Sequence, residues 1–228
     1  MADDRVEVWT IDLDRPPHDV ERCARLLDAR ELADACARVR PQDRGRLIVA
    51  RAARRHLLAR RLDVDPAELT YVVDRWGRPT LDPRHGSALR FSSARSGHRA
   101  VVATTDARSV GIDLELLRPV PEAATIASAW FDRATCEQLA TDPVAGDHRG
   151  FLFRWTALEA ALKATGRGLA AGGHDVRLAH VDAGVVRVRG PGGDGSWAAW
   201  PLTASSHAGA VLAVVTEPPR GHVAWRPG

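Results

Sequence analysis

Two residues of opposite charge lie four positions apart in the segment WTALEAALKATGRGL, which spans residues 155–169. On a helix this spacing places Glu159 and Lys163 on one face. A carboxylate can accept a proton or bind a metal ion, and an ammonium group beside it can hold a phosphate. An apolar stripe on the same helix is formed by Leu158, Ala161 and Leu162.

The same segment also has an ordinary structural interpretation. Thr156 can be the N-cap of the helix, T-x-x-E is then a capping box, and Gly166 supplies the residue after the helix end. Glu159 and Lys163 would then form a common surface ion pair. The segment taken alone favours this interpretation, so a chemical role for Glu159 depends on residues elsewhere in the chain.

Two further acids occur about forty residues upstream, in the alternating segment SVGIDLELL at residues 109–117. In a strand, Asp113 and Glu115 point to the same face, roughly 7 Å apart. One interpretation is a strand with a solvated polar face. The other is a site for a hard cation such as Mg²⁺, which binds a few carboxylates and keeps positions for substrate phosphates. Glu159 would supply a third carboxylate, and Lys163 would reach the same phosphates.

Arginines mark two other candidate positions. A helix is predicted over residues 42–62, and Arg51 and Arg55 fall inside its apolar arc, where arginine needs a buried carboxylate or an anionic ligand. The carboxylate is the favoured alternative. Arg78 lies in the turn DRWGRPTL, between Gly77 and Pro79.

Composition excludes several classes of protein. The 228 residues carry a net charge of +3, and arginine accounts for most of the basic residues, which suits phosphate binding. No apolar run is long enough to span a membrane, and the N-terminus does not resemble a signal peptide. The three cysteines are widely spaced, so zinc and disulfide frameworks are not expected, and a reducing cytoplasm fits best.

The order of predicted elements indicates an α+β protein with an internal repeat. Each half reads as a strand, helices and then a run of strands, and HRAVVATTD (98–106) resembles GAVLAVVTEP (209–218). In the first half a strand is predicted at residues 5–13, and helices are predicted at 17–40 and 42–62. In the second half helices are predicted at residues 121–130, 135–140 and 155–165, followed by strands at 175–180, 185–189, 196–202 and 209–216.

The two motifs together resemble a known family. VGIDLE, followed by FLFRWTALEAALKATGRGL, is similar to the GIDIE-like strand and the W(S/T)xKE(A/S)xxKxxGxGL segment of 4′-phosphopantetheinyl transferases of the broad-specificity, surfactin-synthetase-activating type. The helix RLIVARAARRHLLARRL and the turn WGRPTL resemble the family's arginine-containing helix and its GKP turn. The resemblance extends across most of the chain.

The resemblance implies a fold, a site and a reaction. The fold is a pseudo-dimer of two similar α+β lobes, here residues 1–106 and 107–228, with coenzyme A between them. The implied metal ligands for Mg²⁺, or Mn²⁺ as a substitute, are Asp113, Glu115 and Glu159. Lys163 is implied on the pyrophosphate and Arg78 on a phosphate of coenzyme A, while Arg46 and Arg55 match basic family positions less closely.

The implied reaction transfers 4′-phosphopantetheine from coenzyme A to a serine of acyl or peptidyl carrier proteins and releases 3′,5′-ADP. Glu159, Lys163 and Asp113 are the expected catalytic residues, with Glu159 accepting the serine proton. A cytoplasmic monomer without membrane or nucleic-acid partners is expected. The alternatives are a non-catalytic homologue and a nucleic-acid-binding module, and the latter lacks a basic cluster with interleaved aromatic residues.

Two positions depart from the family pattern. The family's lysine before the helix glutamate is Leu158 here, which belongs to the apolar stripe and is expected to be buried against the neighbouring lobe. The family's N-x-S-H-S segment reads SSARS at residues 92–96, so Arg95 replaces the histidine. Arg95 can hold a phosphate, but it cannot act as a neutral base at pH 7.

Overall fold

A computed structural model describes residues 5–74, 77–106, 109–141 and 148–166, together with the backbone of five later strands. The first half contains β1 (Val6–Asp12), α1 (Pro17–Ala24), α2 (Ala29–Cys36), α3 (Pro41–Leu62), β2 (Tyr71–Val73), β3 (Pro79–Leu81), β4 (Arg90–Ser96) and β5 (Arg99–Thr105). The second half contains β6 (Val110–Leu116), α4 (Ala123–Trp130), α5 (Arg133–Ala140), α6 (Arg149–Ala164), β7 (Arg177–Asp182), β8 (Val185–Gly190), β9 (Gly193–Pro201), β10 (Ala210–Thr216) and β11 (Val223–Arg226). The mixture of helices and sheets agrees with the predicted α+β class.

The prediction of one helix over residues 17–40 is wrong, because two separate helices, α1 and α2, lie in this range. Asp28 starts the second one: its carboxylate accepts from the Glu31 backbone N–H at 2.8 Å, and the Glu31 carboxylate accepts from the Asp28 N–H. This capping box ends the continuity of the first helix. The next helix, α3, is confirmed, with Pro41 in its first turn and Asp63 in a left-handed conformation after its end.

Helix α6 begins earlier than the sequence predicts. It starts at Arg149, so Thr156 is not an N-cap, and Glu159 is not part of a capping box. Thr156 is instead buried in mid-helix, where its hydroxyl donates to the Leu152 carbonyl at 2.9 Å. The predicted helix end is confirmed, since Gly166 follows it with a φ of 72°.

Two larger sheets are present, with strand orders β11-β1-β5-β4 and β6-β10-β9-β8-β7, and β2 pairs with β3 in a short hairpin. The last strand, β11, pairs in parallel with β1, so a strand of the second half completes the sheet of the first half. In each large sheet the first strand of that half pairs antiparallel with a later one, β1 with β5 and β6 with β10.

The two sheets meet where the edge strands β4 and β6 run side by side. At this contact, two serine hydroxyl oxygens of β4 accept hydrogen bonds from backbone N–H groups of β6. Ser92 Oγ accepts from the Ile112 N–H at 3.1 Å, and Ser96 Oγ accepts from the Leu116 N–H at 3.1 Å. We call this contact the β4–β6 seam. An apolar cluster around it joins β1, β5 and β6 and comprises Val6, Val8, Val101, Ala103, Val110, Ile112 and Leu114.

A second apolar cluster forms between α6 and the helices before it. Leu158 is fully buried in it, with Val120, Phe131 and Phe151 among the other members. The expected burial of Leu158 is therefore confirmed. Its expected packing against the neighbouring lobe is wrong, because the described members of this cluster all lie between residues 120 and 164. Across the described part of the chain, no helix is both long and apolar enough to cross a membrane.

Candidate active site

The candidate site forms where α6 lies directly on β6. A Cβ atom at Gly111 would stand only 1.8 Å from the Ala160 carbonyl oxygen and 2.6 Å from the Ala164 nitrogen. Glycine is therefore required at this position of the strand, and it lets the helix backbone approach the strand backbone. The approach brings the acidic face of β6 under the helical face that carries Glu159 and Lys163.

Asp113 is the buried centre of the site, with 4% of its surface exposed. Its Oδ1 atom accepts from Lys163 Nζ at 2.7 Å, and the same ammonium group donates to the Ile112 carbonyl at 3.2 Å. The other oxygen, Oδ2, is buried and has no hydrogen-bond partner among the residues whose side chains are described. The alternative of a solvated polar strand face is therefore wrong at Asp113, because α6 covers it.

Glu159 shares this space with Asp113. Burial, together with the negative charges of Asp113 and Glu115, raises the pKa of Glu159 to about 8, although the positive charge of Lys163 opposes this rise. The carboxyl groups of Glu159 and Asp113 are close enough to share a proton when Glu159 is protonated. A single ammonium group therefore does not compensate both carboxylates, and either a proton or another cation is needed.

Glu115 lies at the edge of this acidic group. Ser96 Oγ donates to Glu115 Oε2 at 2.9 Å, and the Arg118 guanidinium approaches the same oxygen at 3.5 Å. Within the described ranges, no three acidic, histidine or cysteine side chains are close enough together to hold a metal ion as they stand. The structure thus brings Asp113 and Glu159 together and leaves Glu115 beside them, turned toward β4.

The Asp113–Glu159 pair nevertheless fits a hard cation. A buried, unpartnered carboxylate oxygen next to a second carboxyl group of raised pKa is a site that lacks positive charge. Oxygen ligands suit Mg²⁺, which commonly takes one or two protein carboxylates and completes its coordination with water and substrate phosphates. The donor set therefore agrees with the metal that the sequence resemblance implies.

Arg78 lies beside the C-terminal end of α6. A Cβ atom at Gly166 would be 3.0 Å from Arg78 Nη1, so the guanidinium approaches the end of the helix that carries Lys163. Arg78 lines a cavity of about 620 Å³ with Ser109, Ala164 and Thr165. Burial lowers the pKa of Arg78, which remains a cation at neutral pH.

Arg95 lies in a different cavity of about 310 Å³, lined also by Arg51, Arg54, Gly77 and Pro79. The β2–β3 hairpin separates the two spaces: Arg78 and Thr80 face one, while Gly77 and Pro79 face the other. Partial burial lowers the pKa of Arg95, and the nearby positive charges of Arg38 and Arg51 lower it further. Arg51 and Arg54 pair with Asp34 and Glu31, which line the same cavity. Arg95 has no side-chain partner among the described residues and therefore favours an anionic ligand.

The other two predicted arginines have protein partners. Arg46 forms an ion pair with Asp14 at 2.7 Å on the outside of α3. Arg55 is completely buried and donates to the Glu31 carboxylate and to the Pro66 and Leu69 carbonyls. The carboxylate alternative is therefore confirmed for Arg55, and coenzyme A binding by Arg46 or Arg55 stays a prediction without support from these contacts.

The structural roles of three residues near the site were not predicted from the sequence. Gly111 could have been recognised, because a glycine inside a strand often marks a close backbone approach. Ser92 and Ser96 stand four positions apart on β4 and therefore share a face, but nothing in their spacing predicts that their partners are backbone groups of β6.

Comparisons with known proteins agree with this geometry. A family model described as the 4′-phosphopantetheinyl transferase superfamily matches residues 109–215, which contain Asp113, Glu115, Glu159 and Lys163. The chain is 34% identical over 171 residues to the 4′-phosphopantetheinyl transferase HetI of Nostoc sp. (strain PCC 7120), covering 75% of this chain and 72% of that protein.

Two further relatives extend the comparison. A putative 4′-phosphopantetheinyl transferase, slr0495 of Synechocystis sp., is 34% identical over 168 residues, covering 73% of this chain and 67% of that protein. The 4′-phosphopantetheinyl transferase of Bacillus subtilis is 24% identical over 167 residues, covering 72% of each chain. The chain belongs to the 4′-phosphopantetheinyl transferase superfamily and is a 4′-phosphopantetheinyl transferase.

Proposed function

We propose that this enzyme transfers the 4′-phosphopantetheine group of coenzyme A to a serine hydroxyl of acyl and peptidyl carrier proteins, with Mg²⁺, and releases 3′,5′-ADP. The observation that carries the proposal is the meeting of Asp113, Glu159 and Lys163 over Gly111. A buried carboxylate, a second and partly buried carboxyl group and one ammonium group suit a divalent ion on a pyrophosphate.

In the proposed reaction, the serine oxygen attacks the β-phosphorus of coenzyme A, and the bond to the bridging pyrophosphate oxygen breaks. The serine proton passes to Glu159, because a cation beside this carboxylate would keep it ionised near neutral pH. The displaced electron pair stays on the 3′,5′-ADP leaving group. Mg²⁺, when bound, offsets charge on the phosphates and helps to align them.

Asp113, Glu159 and Lys163 have separate proposed roles. Asp113 and Glu159 hold the divalent ion, and Glu115 supplies a further oxygen. Lys163, which is partly exposed and bonded to Asp113, supplies positive charge to the departing phosphate. Its two contacts, with Asp113 and the Ile112 carbonyl, fix the ammonium group before substrate binds.

Arg78 and Arg95 are proposed to bind the phosphates of coenzyme A. Within the described part of the chain, neither guanidinium has an ion pair or hydrogen bond to another side chain, whereas Arg46 and Arg55 do. Arg78 lies nearer to the end of α6 and is assigned to the pyrophosphate side. Arg95 lies on the far side of the hairpin and is assigned to the remaining phosphate.

We further propose the broad-specificity type of enzyme, built from two similar lobes at residues 1–106 and 107–228 and acting as a cytoplasmic monomer. The equivalent pairings of β1 with β5 and β6 with β10 support the two-lobe description. A panel of carrier proteins from fatty-acid, polyketide and peptide synthases tests the specificity, and size-exclusion chromatography tests the monomer.

The proposed activity is tested by incubating an apo carrier protein with coenzyme A and the purified enzyme. Mass spectrometry should show one added phosphopantetheinyl group with Mg²⁺ and none with EDTA, and 3′,5′-ADP should form in equal amount. A carrier protein whose acceptor serine is replaced by alanine is the control. Equal labelling with and without a divalent ion would refute the metal-dependent mechanism.

A further inference from the structure

In the β4–β6 seam, two serines make the same kind of contact with β6. Each accepts a backbone N–H of β6 through its hydroxyl oxygen, Ser92 from Ile112 and Ser96 from Leu116. A hydroxyl also has one hydrogen to donate. Ser96 donates it to the Glu115 carboxylate at 2.9 Å, whereas Ser92 has no carboxylate partner among the described residues.

The position of Ser96 is fixed by the residue that follows it. Gly97 has a φ of 53°, and a Cβ atom there would stand 2.5 Å from Leu116 Cδ1. The end of β4 is therefore held tightly against the end of β6. The Ser96 hydroxyl has little freedom to leave Glu115, because its oxygen is bonded to the neighbouring Leu116 N–H at the same time.

The contact also connects the two proposed substrate regions. Ser96 follows Arg95, which lines the cavity assigned above to a phosphate of coenzyme A. Glu115 lies two residues from Asp113 on the same strand face, at the edge of the acidic pair. One hydroxyl group therefore links the strand that carries Arg95 to the strand that carries the acidic residues.

We propose that Ser96 is a positioning residue: its hydrogen bond holds the Glu115 carboxylate beside Asp113, where Glu115 would join Asp113 and Glu159 in holding a divalent ion. Carboxylates that bind metals are commonly oriented by a hydrogen bond to the second oxygen, and loss of that bond typically weakens metal affinity about 10–100-fold. The proposal rests on the proposed function, because it assumes a divalent ion at Asp113 and Glu159. Arg118 reaches the same oxygen at 3.5 Å but is more than half exposed, so it restrains Glu115 less.

The test compares Ser96→Ala with Ser92→Ala. Both variants lose a seam bond to β6, so both should lower the melting temperature, and Ser96→Ala also loses the bond to Glu115. Calorimetric titration of the metal-free enzyme with Mn²⁺ should show about 10-fold or weaker binding for Ser96→Ala and wild-type binding for Ser92→Ala. Ser96→Thr, which retains the hydroxyl, should restore most of the affinity.

A second comparison separates orientation from folding. If Ser96→Ala melts far below Ser92→Ala, Ser96→Cys is used, since it keeps the size of the side chain and donates only weakly. In a Glu115→Gln background, removing the Ser96 hydroxyl should cost no further Mn²⁺ affinity, as a double-mutant cycle requires of residues that act through one contact.

The outcomes also separate the two proposals. A wild-type enzyme that labels carrier protein and binds Mn²⁺, with Ser96→Ala binding Mn²⁺ equally well, overturns the role of Ser96 and leaves the proposed function standing. A wild-type enzyme that neither binds Mn²⁺ nor depends on a divalent ion overturns both. A loss of affinity in Ser92→Ala equal to that in Ser96→Ala shows a general seam effect and likewise overturns the role of Ser96.

Discussion

The Ala160 carbonyl oxygen of α6 lies 1.8 Å from the place that a Cβ atom of residue 111 would occupy on β6. The contact is between backbones, so no rotation of a side chain can relieve it. Gly111 therefore sets the spacing between the strand that carries Asp113 and the helix that carries Glu159 and Lys163.

Gly111→Ala should separate α6 from β6 and strongly destabilise the fold, with little or no soluble, active enzyme. Gly45→Ala is the matched control, because its Cβ would lie 3.8 Å from the Val20 side chain, an ordinary contact. Alanine in mid-helix should stabilise the protein by about 0.4–1 kcal/mol. Thermal melts and soluble yield measure both effects, and a Gly111→Ala variant that melts like wild type would contradict the packing.

A second prediction concerns the pH dependence of metal-free stability. The pKa of Glu159 is raised from 4.5 to about 8, so folding favours the protonated form. The contribution of Glu159 to stability is therefore fully present below about pH 4.5 and is lost as pH rises through about 8. Glu159→Gln mimics the protonated form, so in EDTA the wild type should lose a few kcal/mol relative to the variant between about pH 5 and pH 8.

Denaturant unfolding of both proteins across this pH range measures the difference. Added Mg²⁺ should stabilise the wild type at pH 8 and leave Glu159→Gln less affected, because the ion compensates the ionised carboxylate. A difference between the two proteins that does not change with pH would show that Glu159 titrates normally.

Part of this site was predictable from sequence, and the reasons are local. Alternation predicted the strand at Val110–Leu116, and the spacing of Glu159 and Lys163 predicted their shared face. The end of α6 was predictable because Gly166 follows it. The strand and the shared helix face follow from the spacing of side chains along the sequence. The helix end follows from the backbone freedom of a single glycine.

Other features depend on contacts that sequence spacing does not encode. Thr156 has the right residue type for an N-cap, but apolar residues before it continue the helix, and its hydroxyl bonds back to Leu152. Tertiary burial thus prevails over the capping pattern. The Ser96–Glu115 bond joins residues 19 positions apart on different sheets, and no periodic pattern predicts it.

The separate cavities of Arg78 and Arg95 lead to a third prediction. Arg78→Ala and Arg95→Ala should each raise the KM for coenzyme A about 10-fold or more, with little change in the KM for carrier protein, because each would remove a proposed charge-assisted phosphate contact. Arg133→Ala is the control, since that side chain is 93% exposed and its ion pair in the described part of the chain is with its helix neighbour Glu137.

Coenzyme A lacking the 3′-phosphate distinguishes the two arginines. Arg95→Ala should discriminate less against this analogue, whereas Arg78→Ala should retain wild-type discrimination. Equal increases in the KM for both substrates, in either variant, would show that the arginine acts on the carrier protein or on folding.

Leu158 provides a fourth prediction. The side chain is fully buried among residues of α4, α5 and α6, so a lysine there cannot bring its ammonium group to water without disrupting the cluster. Leu158→Lys should cost at least about 3 kcal/mol of stability, while the control Leu158→Met should cost less than about 1.5 kcal/mol. Thermal melts test this, and a Leu158→Lys variant as stable as wild type with tighter coenzyme A binding would place residue 158 in the substrate cleft.

The proposed function requires that Asp113, which is buried, and Glu159, which is partly buried, act together in phosphopantetheinyl transfer. The most direct measurement is the rate of carrier-protein labelling by Glu159→Gln at saturating Mg²⁺, beside the control Glu137→Gln, whose carboxylate is exposed. We expect a fall of about 10²–10⁴-fold for Glu159→Gln and a wild-type rate for the control. A folded Glu159→Gln enzyme that labels carrier protein at a near-normal rate would contradict it.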